Sequence, residues 1–106
     1  MAKYYIRWQT NRQSIPATSE ERAKLGMSLA EMVKQDIKGG KMKDWGAVPG
    51  EHIGYCLMEV ASEVDLATSL AKWWPYIIFE VMPVITVDQY IESIKKIVAE
   101  AQTKKK

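Results

Sequence analysis

Hydrophobic and polar positions alternate at the start of the chain. In Lys3–Thr10, KYYIRWQT, the residues Tyr4, Ile6 and Trp8 fall on one side of an extended backbone, and Tyr5, Arg7 and Gln9 on the other. Aromatic and β-branched residues favour that conformation, so the segment is predicted to be a strand. Asn11–Ala17 carries Asn, Ser and Pro and reads as a loop. The period then changes. Leu25, Leu29, Met32, Val33 and Ile37 recur at helical spacing behind Thr18 and Glu21, a capping-box pair. A helix from Ser19 to Lys38 follows, stopped by Gly39-Gly40 because glycine accepts a left-handed cap without steric cost. Gly26 within it marks a weak spot or a place of close packing.

Lys41–Val48 and His52–Val60 read as two strands of a hairpin about the turn signal Pro49-Gly50. Ser62 and Asp65 form a second capping box. Behind it Val64, Ala67, Leu70, Ala71 and Trp74 give an apolar stripe, predicting a helix over Glu63–Trp73 that Pro75 ends. Tyr76–Val84 is a fourth strand. Pro83 cannot donate to a ladder, which places this strand at an edge or at its end there. Thr86 and Gln89 open a third helix lined by Val87, Ile91, Ile94, Ile97 and Val98, with Ile85 able to staple onto Tyr90. The polar tail from Gln102 to Lys106 is expected to fray. One domain is expected over residues 1–101, with 102–106 as a Lys-rich tail.

The succession β-α-β-β-α-β with a closing helix predicts an α+β, ferredoxin-like fold. Its strand order is 4-1-3-2, antiparallel, with both crossover helices on one face. Phe79, Val81, Ile6, Trp8, Met58, Val60 and Cys56 supply the floor for those helices. The opposite face then holds Tyr5, Arg7, Gln9, Tyr55, Leu57, Glu59, Tyr76, Ile78, Glu80 and Met82. Trp45 fits either face. The second face is too apolar for open exposure. It also sets Arg7 near Glu80 on one neighbouring strand and near Glu59 on the other, charges that need pairing once covered. The expectation is therefore a homodimer or higher homo-oligomer, packed face to face about a two-fold axis.

In its opening KYYIRWQ and in WWPYIIFEVMPVI followed by a helix, the chain resembles the dimeric α/β barrel proteins over about Lys3 to Val98. Two ferredoxin-like protomers form a barrel across their sheets in that superfamily. It includes muconolactone isomerases, antibiotic-biosynthesis-type monooxygenases, chlorite dismutase-like heme proteins and stress-responsive barrel proteins. Within it the sequence is similar to a small family of uncharacterised prokaryotic domains. The resemblance implies a barrel with a lumen between two sheets, and it carries no established chemistry with it.

Composition narrows the functional classes. The chain is 47% hydrophobic and 26% charged, with a net charge of +2 from 15 Lys and Arg against 13 Asp and Glu. With Lys104, Lys105 and Lys106 set aside the charge becomes −1, which removes the case for nucleic acid as a partner. No stretch reaches the roughly 18 to 20 apolar residues of a membrane span. No apolar signal region opens the chain, so the expected location is cytoplasmic. A single Cys56 excludes an internal disulfide and a Cys-rich zinc site, and no metal site or cofactor is expected.

Candidate chemistry is confined to a few side chains. Arg7, Glu59 and Glu80 are either a small-molecule site in the barrel or a salt-bridge network that fixes register. In the first case Arg7 would bind an anionic ligand. Tyr5 and Tyr55, with Trp45 if its parity allows, would suit a flat aromatic or quinone-like molecule; as interface packing they need no ligand. Trp73-Trp74-Pro75 reads as a core anchor. His52, at a turn, reads as a surface histidine rather than a heme ligand. Cys56 reads as an inert buried thiol. The two lie about 13 Å apart along one strand and cannot form a nucleophile–base pair. No catalytic residue is assigned. Two functions fit: a barrel that binds a small hydrophobic, aromatic or anionic molecule through Tyr5, Arg7, Tyr55, Glu59 and Glu80, or a non-catalytic self-assembling protein whose sheet face is only an interface.

Overall fold

The computed structural model describes residues 2–104. The order of elements is β1 (Ala2–Thr10), a single 3₁₀ turn (Arg12–Ser14), α1 (Ser19–Lys38), β2 (Met42–Ala47) and β3 (Ile53–Val60), then α2 (Glu63–Ala71), β4 (Ile77–Val84) and α3 (Val87–Lys104). The four strands form one antiparallel sheet in the order β2-β3-β1-β4. This is an α+β architecture compatible with the ferredoxin-like arrangement, and the strand order is the expected one. The helix starts are set by local chemistry. The hydroxyls of Thr18 and Ser62 accept from the backbone N–H groups of Glu21 and Asp65. At α3 the box is reciprocal, with Thr86 Oγ1 accepting from Gln89 N–H and Gln89 Oε1 from Thr86 N–H. α3 continues through Gln102 to Lys104 instead of ending in a frayed tail there. Lys105 and Lys106 of the Lys-rich run lie outside the described residues.

The core sits between one sheet face and α1 with α2. It contains Tyr4, Ile6, Met42, Cys56, Met58 and Val60 from the sheet, with Val33, Leu66 and Trp73 closing over them. Ile6 and Met58 are fully buried. β1 is central: it pairs with β3 and β4 simultaneously, so Ile6 lies opposite Cys56 on one side and Val81 on the other. Pro83 sits on β4, an edge strand, as its missing donor requires.

Both covering helices differ from expectation in which residues face the core. On α2 the inward set is Leu66, Ser69, Leu70 and Trp73, which repeats at i, i+3, i+4 and i+7. Of the stripe read from the sequence, Leu70 packs on the core, while Val64 and Trp74 are more than 70% exposed. Trp73 alone is the anchor, since it is buried while Trp74 is open to solvent. On α1 the buried position near the end is Asp36, not Ile37. Its Oδ1 accepts from Lys72 Nζ just past α2, and its Oδ2 is buried without a partner. That ion pair ties the C-terminal ends of α1 and α2 together.

α3 contributes nothing to this core among the described residues. Its stripe of Val87, Tyr90, Ile91, Ile94, Ile97 and Val98 is exposed throughout, and Ile85 and Tyr90 are both open to solvent. The molecule is correspondingly long, 69 × 25 × 23 Å with a radius of gyration of 18.5 Å. About 13 Å is expected for a compact domain near this size.

Removal of Lys72 leaves the Asp36 carboxylate buried without its cation. Lys72→Ala is expected to destabilise the fold by about 1–2 kcal/mol, less than for a fully enclosed pair because the lysine is 39% exposed. Asp36→Asn, which removes the buried charge itself, is expected to cost less than Lys72→Ala. Urea unfolding of the two variants checks the order.

Candidate functional site

The sheet face away from α1 and α2 carries a broad depression of about 690 Å³. Strand alternation brings its side chains together. Tyr5, Arg7 and Gln9 come from β1, Ile53 and Tyr55 from β3, and Ile78, Glu80 and Met82 from β4. Register fixes the neighbours: Arg7 lies opposite Tyr55 on one side and Glu80 on the other, and Tyr5 opposite Leu57 and Met82. The rings of Tyr5 and Tyr55 stack with centroids 6.1 Å apart and planes 15° from parallel. Four of the five expected site residues, Tyr5, Arg7, Tyr55 and Glu80, therefore line one depression.

Glu59 does not join them. It pairs with Lys3 across β1, four positions along β3 from Tyr55, and its carboxylate is bound by Lys43 Nζ at 3.6 Å. The expected Arg7–Glu59–Glu80 cluster is thus not formed. Arg7 keeps Glu80 as a neighbour in register, yet both are exposed. The ion pairs among the described residues do not include Arg7. Its guanidinium is free to receive an anion.

Tyr55 is held by two features that the alternation alone did not reveal. Its hydroxyl donates to Asp44 Oδ2 at 2.8 Å, and its ring lies over Gly46, where an added Cβ would overlap the ring. The bond to the carboxylate, chiefly, raises the Tyr55 phenol above its ordinary value near 10, with desolvation and the Asp44 charge acting in the same direction. Asp44 reaches this face because β2 is irregular between Met42 and Asp44. Met42 stays on the helix side opposite Met58, while Lys43 and Asp44 both serve the open side.

The same irregularity settles Trp45, which pairs with Cys56 and so faces the helices. It is not part of the open-face depression. Its indole stacks on that of Trp8 at 5.5 Å and 12°. Trp8 in turn lies over Gly54, which has no room for a Cβ, and donates from Nε1 to the Tyr55 carbonyl at 3.3 Å. His52 is exposed at the start of β3, apart from the depression, and its carbonyl accepts from Thr10 N–H. Cys56 is buried. Desolvation, and then the Asp36 charge, push its thiol up to about 11, consistent with the inert reading. No cluster of metal-ligating side chains occurs among the described residues, and no helix of them is long and apolar enough to cross a membrane.

These features define a small α+β domain with one antiparallel sheet, helices on one face, and a polar-aromatic depression on the uncovered face. By its match over residues 2–98 the chain belongs to the DUF3303 family, a domain of unknown function. No curated protein matches it. The match spans nearly the segment over which the barrel resemblance was read, and it brings no link to the isomerases or monooxygenases of that superfamily.

Two titrations are expected to report the local environments. Asp44→Asn removes the acceptor charge that holds the Tyr55 proton, so the Tyr55 transition moves down toward 10. Ultraviolet absorbance of tyrosinate in the two proteins measures it. For Cys56 the folded value lies above the unfolded one, so its contribution to stability is complete below about pH 9 and is lost as pH rises toward about 11. Unfolding free energies across that window are expected to fall more steeply for the native chain than for Cys56→Ala.

Proposed function

We propose that two copies of this chain pack sheet against sheet, closing an α/β barrel of the kind formed in the dimeric α/β barrel superfamily. Its lumen binds a small flat aromatic molecule bearing an anionic group. The observation that carries the reading is Arg7. It is a guanidinium outside every ion pair of the described residues, beside the stacked Tyr5 and Tyr55 on a sheet face that also carries Ile78, Met82, Gln9 and Glu80. A guanidinium binds a carboxylate through two parallel hydrogen bonds, and aromatic faces orient a ring. Glu80, opposite Arg7, limits how many negative charges the ligand carries. The depression of about 690 Å³ in one chain is within the size range of small-molecule sites. The reading is one of binding and assigns no reaction. It places the dimer in the cytoplasm, where an unpaired thiol such as Cys56 stays reduced.

Uncovered apolar surface supports the second copy. Ile78 on the sheet and the stripe of α3 are exposed, and Met82 beside Tyr5 is only half-buried. A monomer would leave both of these apolar surfaces open to water, and large exposed apolar patches commonly mark interaction sites. The α3 stripe also supports a second reading, in which the face serves self-association alone.

Sedimentation at micromolar concentration is expected to give twice the chain mass of 12.1 kDa. Leu57→Asp, on the open face, is expected to shift it to monomer. A monomeric native protein would sink the barrel. With the dimer established, 2-naphthoate is expected to raise the melting temperature of the native protein and to do so much less for Arg7→Ala. Equal shifts in both proteins, or none in either, would leave only the self-assembly reading.

A further inference from the structure

A second, smaller cavity lies on the other side of the sheet, and the proposed barrel lumen does not use it. Its volume is about 230 Å³. The floor is the sheet, with Cys56, Ile77 and Phe79, and the Trp8–Trp45 stack forms one wall. Leu29 and Val33 of α1 and Leu70 with Trp73 at the end of α2 form the roof. At one end the Asp36–Lys72 ion pair holds the two helices together. Toward the N-terminal half of α1 the wall is cut away: Gly26 and Ala30, one turn apart, both line the cavity and are exposed. A Cβ built on Gly26 meets nothing within 4 Å. A glycine inside a helix is destabilising relative to alanine, so this notch is present at a cost to the helix.

The lining is chemically uniform. None of its residues is Asp, Glu, Lys, Arg or His, and its hydroxyl and thiol groups are those of Thr10 and Cys56. A charged ligand would lose its hydration there with no counter-ion to replace it. Four aromatic side chains, Trp8, Trp45, Trp73 and Phe79, converge on a space that a planar ring fills better than a branched chain. An apolar protein cavity of about 150 Å³ stays dry and takes up benzene, so one somewhat larger suits one or two fused rings.

We propose that this cavity between α1, α2 and the sheet is a binding site for an uncharged, planar aromatic molecule of one or two fused rings, entering past Gly26 and Ala30 and resting against the Trp8–Trp45 pair. The site is complete within one chain; it shares Trp8 and Phe79 with the sheet-face depression and differs from it in having no charged lining residue and so requiring a neutral ligand. Gly26 and Ala30 are the residues that keep it open.

The test uses 2-naphthol as the neutral probe and 2-naphthoate as its charged counterpart, with the full chain, by calorimetric titration and thermal shift. 2-Naphthol is expected to bind at one site per chain and to raise the melting temperature. Ala30→Phe and Gly26→Leu, which project side chains into the cavity, are expected to weaken it by about tenfold or more. Their helical circular dichroism and melting temperature in the absence of probe are expected to match or exceed those of the native chain. Arg7→Ala is expected to leave 2-naphthol binding unchanged while weakening 2-naphthoate, which separates this site from the lumen. The proposal is overturned if 2-naphthol neither binds nor stabilises. It is overturned equally if both filling variants fold and bind like the native chain, or if Arg7→Ala abolishes binding of the neutral probe. Loss of binding as protein concentration rises through the range of self-association would show a side chain of a second copy as the occupant instead, and would also overturn it.

Discussion

β1 is paired along its length on both sides, to β3 through Ala2–Gln9 and to β4 through Lys3–Thr10. A strand in that position has no freedom to slip, because a shift of one residue would turn Tyr4 and Ile6 out of the core and Tyr5 and Arg7 into it. Everything else is referenced to it. Ile6 selects Cys56, beneath the helices, and the exposed Val81 as its neighbours, and Arg7 selects Tyr55 and Glu80 on the far side. The two cavities therefore lie on opposite faces of one sheet and draw mostly on alternate residues of the same strands, while Trp8 and Phe79 line both. Trp8 makes the link tangible: its ring lies on the helix side while its Nε1 donates to the carbonyl of Tyr55, whose ring lies on the other.

The parts legible in the sequence were those governed by local rules. Alternation placed β1, β3 and β4 within one residue or two, and the three cap pairs placed the helix starts. The sheet order followed from the succession of elements. Four of five open-face residues were found because their parity was unbroken. Glu59 shared that parity but sat too far along β3, and distance along a strand is what alternation ignores. β2 could not be oriented, because an irregular step between Met42 and Asp44 reverses parity within the strand. Only pairing with β3 reveals which side Trp45 takes.

Leu29, Met32, Val33 and Leu70 of the expected stripes meet the core, but helical spacing also put Val64 and Trp74 on the α2 stripe and Ile37 on the α1 stripe. The fold instead buries Ser69 and Asp36 and leaves those apolar residues out. A charged residue is admitted to the core at Asp36 because Lys72, thirty-six positions away, supplies its counter-charge. No pattern confined to α1 contains that information. α3 is the opposite case: its amphipathic stripe was read correctly, yet among the described residues it packs against no part of the core.

The stacking of Trp8 on Trp45 has an optical consequence. Two indoles 5.5 Å apart and nearly parallel exchange excitation instead of absorbing independently. One member of the pair stands on the central strand, and the other follows the irregular step of β2 at the sheet edge. Their electronic coupling thus measures the alignment of edge and centre directly. The chain carries its own intrinsic chromophore gauge of sheet geometry, readable in the near-ultraviolet without any label.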